Sequence, residues 1–347
     1  MSSDHALRYA ADAHNQPVGL EDRGGALWRS DVEDTHCNVR TRGYLPIENY
    51  GIIGNLHTVA MCGTDGSIDF CCYPEFDSPS VFARMLDKDK GGHFSIAPNA
   101  HVSNKQQYMP KSNILVTRFL SDEGVAEVID YMHRPAANQR LSSKPLLPWI
   151  IRRVRVVRGT VRFKMECYPA FNYAMDEHTT QLQPHALHSR PTPVKHYPED
   201  DESFFTCDER VEFRSKNLTM DLRYICKVGD MPRPTIDLKI DDAFEERGLK
   251  GPGVYAEFDM HETQVVDFVF REVPAAQGLS VMDPPLTLSL MAALFNQTIK
   301  YWQKWIDQIS YRGRWRENVT RSAMTLKLLT YEPVSEGAEA YIYGHYC

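Results

Sequence analysis

Short apolar segments separated by turn residues run from residue 44 to residue 272, and this pattern constrains the fold more than any other feature of the sequence. The clearest case is a hairpin, in which residues 56–62 and 67–73 flank the turn residues 63–66. Its Asp65-Gly66 pair supplies the positive φ angle that a tight hairpin turn requires. Further strand candidates cover residues 92–97, 114–120, 126–132, 149–157, 161–168, 212–222, 224–228 and 264–272. Their spacing, with turns such as 121–124 and 158–159, predicts consecutive antiparallel pairs and a mainly β fold, a large antiparallel β-sandwich.

Two segments depart from this pattern. Residues 1–43 are polar and show no sustained period, so burial offsets little of the entropy of ordering them, and we predict a flexible N-terminal arm. Residues 175–202 are rich in histidine, proline and acidic residues and break the strand rhythm. They predict a surface insertion in the β domain, which we place at residues 44–282.

The pattern changes to a helical one after residue 282. Asp283 is a candidate N-cap, with Pro284 and Pro285 at the first helical positions. The helix, at 283–310, is expected to lie across the β domain. A second helix is predicted within 311–333; its apolar stripe needs a packing partner and consists of Trp315, Val319, Ala323, Leu326 and Leu329.

Composition and charge narrow the function classes. The net charge of -7 leaves no basic surplus, and Lys and Arg are dispersed, which argues against a nucleic-acid or membrane-surface partner. The N-terminus carries no signal-like apolar run, so we expect a cytoplasmic protein. The eight cysteines form no Cys-x-x-Cys pair, and reduced thiols are the favoured state. Phosphate-loop, Gly-x-Ser-x-Gly and His-Glu-x-x-His motifs are absent from the sequence, and we predict no cofactor.

Several unusual motifs occur together and in a defined order. They are YLPIENYGIIGN at 44–55, GTDGSIDF at 63–70, FDSPSVF at 76–82, the Gly91-Gly92 pair, LVTRFL at 115–120, RRVRVVRG at 152–159, PAFNY at 169–173, YRGRWR at 311–316 and LLTY at 328–331. From residue 44 to residue 333 the chain thus resembles the glucoamylase-like and trehalase-like proteins of glycoside hydrolase family 15.

This resemblance implies a fold and an activity. The family joins an N-terminal β-supersandwich, through a linker helix, to an (α/α)6 barrel whose two glutamates hydrolyse an α-glucosidic bond with inversion, one as acid and one as base. It implies that residues 311–333 are the first helix of that barrel, an intramolecular partner missing from this chain. Residues 334–347 depart from the family pattern and are expected to be a non-homologous tail. Both catalytic glutamates would then lie beyond Cys347, so we assign no catalytic residue.

For each candidate site residue, a purely structural or solvated role is an alternative to a functional one. Glu75 and Asp77 follow the hairpin on a loop and could contact a sugar at the domain interface, although loop carboxylates are commonly only solvated. The insertion histidines could gather a metal, but their irregular spacing favours a solvated loop, and we predict no metal site. These histidines are His178, His185, His188 and His196.

Buried alternatives are favoured for two further groups. Cys71 and Cys72 could be redox-active, but no basic neighbour is evident and structural thiols are favoured. Tyr301, Trp302 and Trp305 could stack on a sugar, but at helical spacing core packing is favoured.

Two functions remain open at this point. One is the accessory N-terminal domain of an α-glycosidase of carbohydrate metabolism, inactive by itself, whose complete form would bind an α-linked glucoside or a trehalose-like sugar. The other is a non-catalytic carbohydrate-binding or interaction module. Release of glucose by the purified chain would distinguish a hydrolase from both.

Overall fold

The computed structural model describes Arg40 and residues 43–135, 146–184, 209–227, 232–273, 284 and 286–332. Its strands are β1 (Tyr50–Gly54), β2 (Val59–Gly63), β3 (Ser67–Cys72), β4 (Ser80–Phe82), β5 (His93–Pro98), β6 (Ser103–Tyr108), β7 (Leu115–Leu120), β8 (Gly124–Met132), β9 (Ile150–Tyr168), β10 (His178–Pro184), β11 (Glu209–Ser215), β12 (Thr219–Lys227), β13 (Lys239–Ile240), β14 (Val254–His261) and β15 (Val265–Glu272). The longer helices are α1 (Leu288–Ile306) and α2 (Arg316–Leu328), and short helical turns span Ile47–Asn49 and Phe171–Ala174. The mainly β, antiparallel prediction is confirmed.

The long strand β9 organises the molecule because it belongs to two layers. Its first half pairs with β8 and β15, and its second half pairs with β5 and β14. Through β5 the first layer continues to β3, β2 and β1, while through β8 and β15 the second layer continues to β6 and β10. Buried apolar side chains of both layers form one cluster, so the layers pack face to face as a sandwich.

Alternation of side chains produces this core. In β14 the buried residues Val254, Ala256, Phe258 and Met260 alternate with more exposed ones, as a strand with one face on the core requires. The predicted hairpin is confirmed as β2 and β3, and Gly66 occupies the turn with φ of +83°.

Two strand predictions are wrong. Residues 158–159 are not a turn between strands, because β9 continues through them; Val157 is a bulge there, and Gly159 takes a φ of +78°. A glycine at positive φ beside an extra residue bends a strand without ending it. The strand predicted at 212–222 is also wrong, since β11 ends at Ser215 and the chain turns before β12.

The predicted surface insertion is corrected in its first part. Residues 178–184 form β10, which pairs with β11 at the edge of the second layer. The sequence pattern did not predict strand β10, because the histidine and proline content of the segment obscured it and its partner strand β11 is distant in the sequence. Residues 185–202 lie outside the described residues, as do the tail and all of the predicted arm except Arg40 and Gly43. Arg40 contacts the carboxylates of Asp65 and Asp69, each at 2.7 Å.

Helix α1 covers the outer face of the second layer. Its buried residues Leu290, Met291 and Leu294 meet strand residues such as Ile129 and Ile151. The helix begins at Leu288, later than the predicted Asp283, because the Thr287 side chain caps it by accepting a hydrogen bond from the Leu290 amide at 3.0 Å. Pro284 lies before it.

Helix α2 packs by a face other than the predicted stripe. Met324 and Leu328 are buried against Leu56, Trp302 and Ile306. The stripe itself is largely exposed: Trp315 is 57%, Val319 36%, Leu326 69% and Leu329 57% accessible. The helix therefore buries one face and leaves most of the predicted stripe uncovered.

Candidate functional site: the junction between the β domain and the end of helix α2

The loop between β3 and β4 carries both carboxylates predicted to contact a sugar. Two prolines, Pro74 and Pro79, keep it out of the sheet ladder. It is closed by its own hydrogen bonds: the Glu75 amide donates to Ser78 Oγ at 3.1 Å, and the Ser78 amide donates to the Glu75 carbonyl at 3.2 Å. Glu75 is partly buried and Asp77 is exposed.

A second loop, between β1 and β2, lies beside it. The Asn55 side-chain oxygen accepts hydrogen bonds from the amides of His57 and Thr58, both at 3.0 Å. This Asx-type turn holds Leu56 at a φ of +69°, which brings its carbonyl to the end of helix α2. The Glu332 amide donates to that carbonyl at 2.9 Å.

Arg134 ties three parts of the chain together at this point. Its guanidinium donates to the Asn55 carbonyl at 2.9 Å and to the Glu332 carboxylate at 2.6 Å. It also lies over the Tyr301 ring, 4.5 Å from the ring centre, on helix α1. Because Arg134 is buried, this ion pair is screened less than a surface pair and fixes where the chain leaves helix α2.

Tyr331 lies between the two loops. Its ring meets His57 edge-on at 5.7 Å and Phe76 at 6.4 Å between centroids. Its hydroxyl lies near the Glu75 carboxylate, and this interaction raises the pKa of Tyr331. Burial, and then the charge of Arg134, lower the pKa of His57, so its imidazole is neutral at pH 7. The junction thus presents an aromatic ring beside two carboxylates.

The sequence identified part of this junction. The structure places Glu75 against Tyr331 and Asp77 on the same loop; their predicted contact with a sugar stays a prediction. Sequence reasoning missed the pairing of Arg134 with Glu332, because 198 positions separate them and no local pattern marks either residue. Tyr331 belongs to the LLTY motif at 328–331, which is the sequence signal for this junction.

The histidines considered as metal ligands are not brought together among the described residues. His178 is buried, in contrast to the predicted solvated insertion, and its ring meets Phe171 and Phe213. The described residues include no cluster of three metal-ligating side chains; His185, His188 and His196 lie outside them.

The favoured interpretations of the thiols and of the helix aromatics hold. Cys71 is fully buried, and burial raises the pKa of its thiol to about 12, which keeps it unreactive. Trp302 is fully buried, with Tyr301 and Trp305 packed beside it. Among the described residues, no helix is both long and apolar enough to cross a membrane.

Comparison with known proteins gives a consistent result. Residues 38–192 match the family described as trehalase-like, N-terminal. The trehalase of Thermoplasma volcanium is 26% identical over 301 residues, 86% of this chain and 40% of that protein. The trehalase of Mycobacterium tuberculosis is 28% identical over 304 residues, 83% of this chain and 38% of that protein. A bacterial glucoamylase solved with acarbose aligns with a TM-score of 0.44 at 10% identity, over 81% of this chain and 40% of that one.

The family match and the trehalase relatives identify the class of domain. The chain carries a trehalase-like N-terminal domain. More particularly, the family match and the trehalase relatives confirm the resemblance to trehalase-like proteins that the motifs indicated. The chain spans about two fifths of the length of the trehalases named above.

Proposed function

We propose that this chain is the accessory N-terminal domain of a glucoamylase-like or trehalase-like α-glycosidase of cytoplasmic carbohydrate metabolism, and that it seats a C-terminal catalytic module. The match to trehalases across more than four fifths of this chain, but only about two fifths of theirs, carries the proposal. The substrate class, an α-linked glucoside such as trehalose, follows from the names of those relatives.

The exposed stripe of helix α2 supports the seating role. Trp315, Leu326 and Leu329 are each more than half accessible, although they lie on the last helix before the junction. An apolar surface of this kind marks an interaction site. Its occupant in this proposal is the catalytic module, whose first helix would include α2.

The proposal assigns substrate contact, not catalysis, to Glu75 and Asp77. Inverting hydrolysis needs a protonated acid and a carboxylate base with a water between them. Here Glu75 lies near the Tyr331 hydroxyl, and Asp77 is exposed on the same short loop. These surroundings suit acceptors for sugar hydroxyl groups at the edge of a site.

A turnover assay tests the accessory role. The purified chain is incubated with trehalose, maltose or soluble α-glucan, and glucose release is measured. We expect none, because general acid–base catalysis alone contributes about 10²- to 10⁴-fold and in this proposal the acid–base pair belongs to the catalytic module. Glu75→Gln and Asp77→Asn are the matched controls: turnover that either substitution abolishes would show that the domain is itself the hydrolase.

A further inference from the structure

The turn after β9, Phe171–Ala174, has a rare backbone conformation. Asn172, Tyr173 and Ala174 are consecutive and have φ angles of 51°, 56° and 61°. Residues with a Cβ are strained in this left-handed region, and strain of this kind concentrates at functional sites. At two other positions with positive φ, the residue is a glycine: Gly66 and Gly159. Single residues with a Cβ adopt positive φ at Leu56, Lys111 and Thr263, but in this turn three do so in succession.

The first residue of this turn is buried in the core, whereas its third residue is largely exposed. Phe171 is 3% exposed and packs on His178, whereas Tyr173, two residues later, is 46% exposed. The Tyr173 amide donates to Ser80 Oγ at 3.1 Å, so the backbone below the ring is fixed. The ring is therefore held in one place while a large part of it faces outward.

Tyr173 lies at the base of the loop that carries Glu75 and Asp77. Ser80 is the first residue after this loop, and Cys72, the last residue of β3, is within 3.8 Å of the Tyr173 hydroxyl through its sulfur. The Cys72 carbonyl accepts a hydrogen bond from Thr58, the residue after His57, which packs against Tyr331. Tyr173 thus contacts both ends of the loop whose Glu75 lies beside Tyr331.

We propose that Glu75, Asp77, Tyr173 and Tyr331 form one contact surface for an α-linked glucosyl unit, here called the glucosyl rim, with Tyr173 as its stacking residue. The C–H face of a pyranose packs on an aromatic ring, and its hydroxyl groups donate to carboxylates. A tyrosine suits this task because one part of it is apolar and the other wet. The choice of sugar rests on the proposed function.

The test separates the role of the ring from the role of the turn. Binding of maltotriose and of trehalose to the full chain is followed by saturation-transfer NMR titration, with Tm measured in parallel. Tyr173→Gly relieves the backbone strain and removes the ring, so Tm should stay level or rise by about 2 °C while affinity falls about 10-fold. Ala174→Gly gives the same relief with the ring intact, and Tyr173→Phe keeps the ring, so both should bind within about 2-fold of wild type.

Glu75→Gln provides a variant outside the turn. It removes the charged acceptor and should weaken binding by about 5-fold, since hydrogen bonds to charged groups are the stronger ones. Absence of binding to the unmodified chain, or wild-type affinity in Tyr173→Gly, would overturn the glucosyl rim. That result would leave the accessory role standing, because glucose release tests that role; conversely, turnover by the chain would remove the accessory role but not the rim.

Discussion

Single residues with buried charges hold the two layers together. The Arg152 guanidinium, fully buried, donates to both oxygens of Asp130 at 2.8 and 3.2 Å and to the Gly66 carbonyl at 2.7 Å. Arg152 and Asp130 belong to the second layer, whereas Gly66 lies in the hairpin of the first. A buried pair satisfied in this way specifies how the layers are placed.

Removing one partner of this pair should be costly. We expect Asp130→Ala to lower the free energy of unfolding by about 3–5 kcal/mol, because it leaves a buried uncompensated guanidinium. Asp307→Ala is the control: it breaks the exposed Lys111–Asp307 pair, 2.7 Å long, and should leave the free energy of unfolding nearly unchanged. Urea denaturation measures both; equal losses would show that burial of the pair does not matter.

The stability of the domain in acid should depend on His178. Burial lowers the pKa of His178 from 6.5 to about 4. The unfolded chain therefore takes up a proton that the folded chain refuses, and stability falls as the pH decreases through that interval. The expected loss between pH 6.5 and pH 4 is roughly 3 kcal/mol. His178→Gln should flatten the stability curve there by that amount; parallel curves for the two proteins would refute this assignment.

Among the elements, helix α1 depends on packing rather than on intrinsic propensity. It buries residues at intervals of three and four against the outer face of the second layer. Leu294 is fully buried in this contact, whereas Leu326 of helix α2 is 69% exposed.

These two leucines form a matched pair of tests. Leu294→Ala should lower the free energy of unfolding by about 2–5 kcal/mol through lost burial and a cavity. The same change at the exposed Leu326 should stay within about 0.5 kcal/mol. Thermal and urea unfolding measure both. A small effect at Leu294 would mean that helix α1 is held mainly by its ends.

At the scale of the whole molecule, the uncovered stripe of helix α2 governs association. With Trp315, Leu326 and Leu329 exposed, we expect the purified chain to self-associate and to be poorly soluble. A triple variant, Trp315→Glu, Leu326→Glu and Leu329→Glu, should be monomeric in analytical ultracentrifugation. A monodisperse, cooperatively melting wild-type monomer would contradict this expectation.

The parts of the fold predictable from sequence are those encoded locally. The hairpin around Gly66, the alternating strands and the buried face of helix α1 each follow from short-range patterns. The course of β9 through Gly159 and the pairing of β10 with β11 depend on partners distant in sequence, which periodicity does not report. The same contrast applies to the junction. The loop that carries Glu75 is recognisable from local sequence, whereas the role of Arg134 depends on its ion pair with Glu332, which is distant in sequence.

The shared strand β9 also determines how this protein unfolds. Since its 19 residues contribute hydrogen bonds to both layers, neither layer can lose its central strand while the other stays intact. We therefore expect the sandwich to unfold as one cooperative unit, with amide hydrogens in the middle of β9 exchanging with solvent only through global unfolding. A mechanical force that pulls the two layers apart would therefore be expected to meet one unfolding barrier, the rupture of the hydrogen bonds of β9.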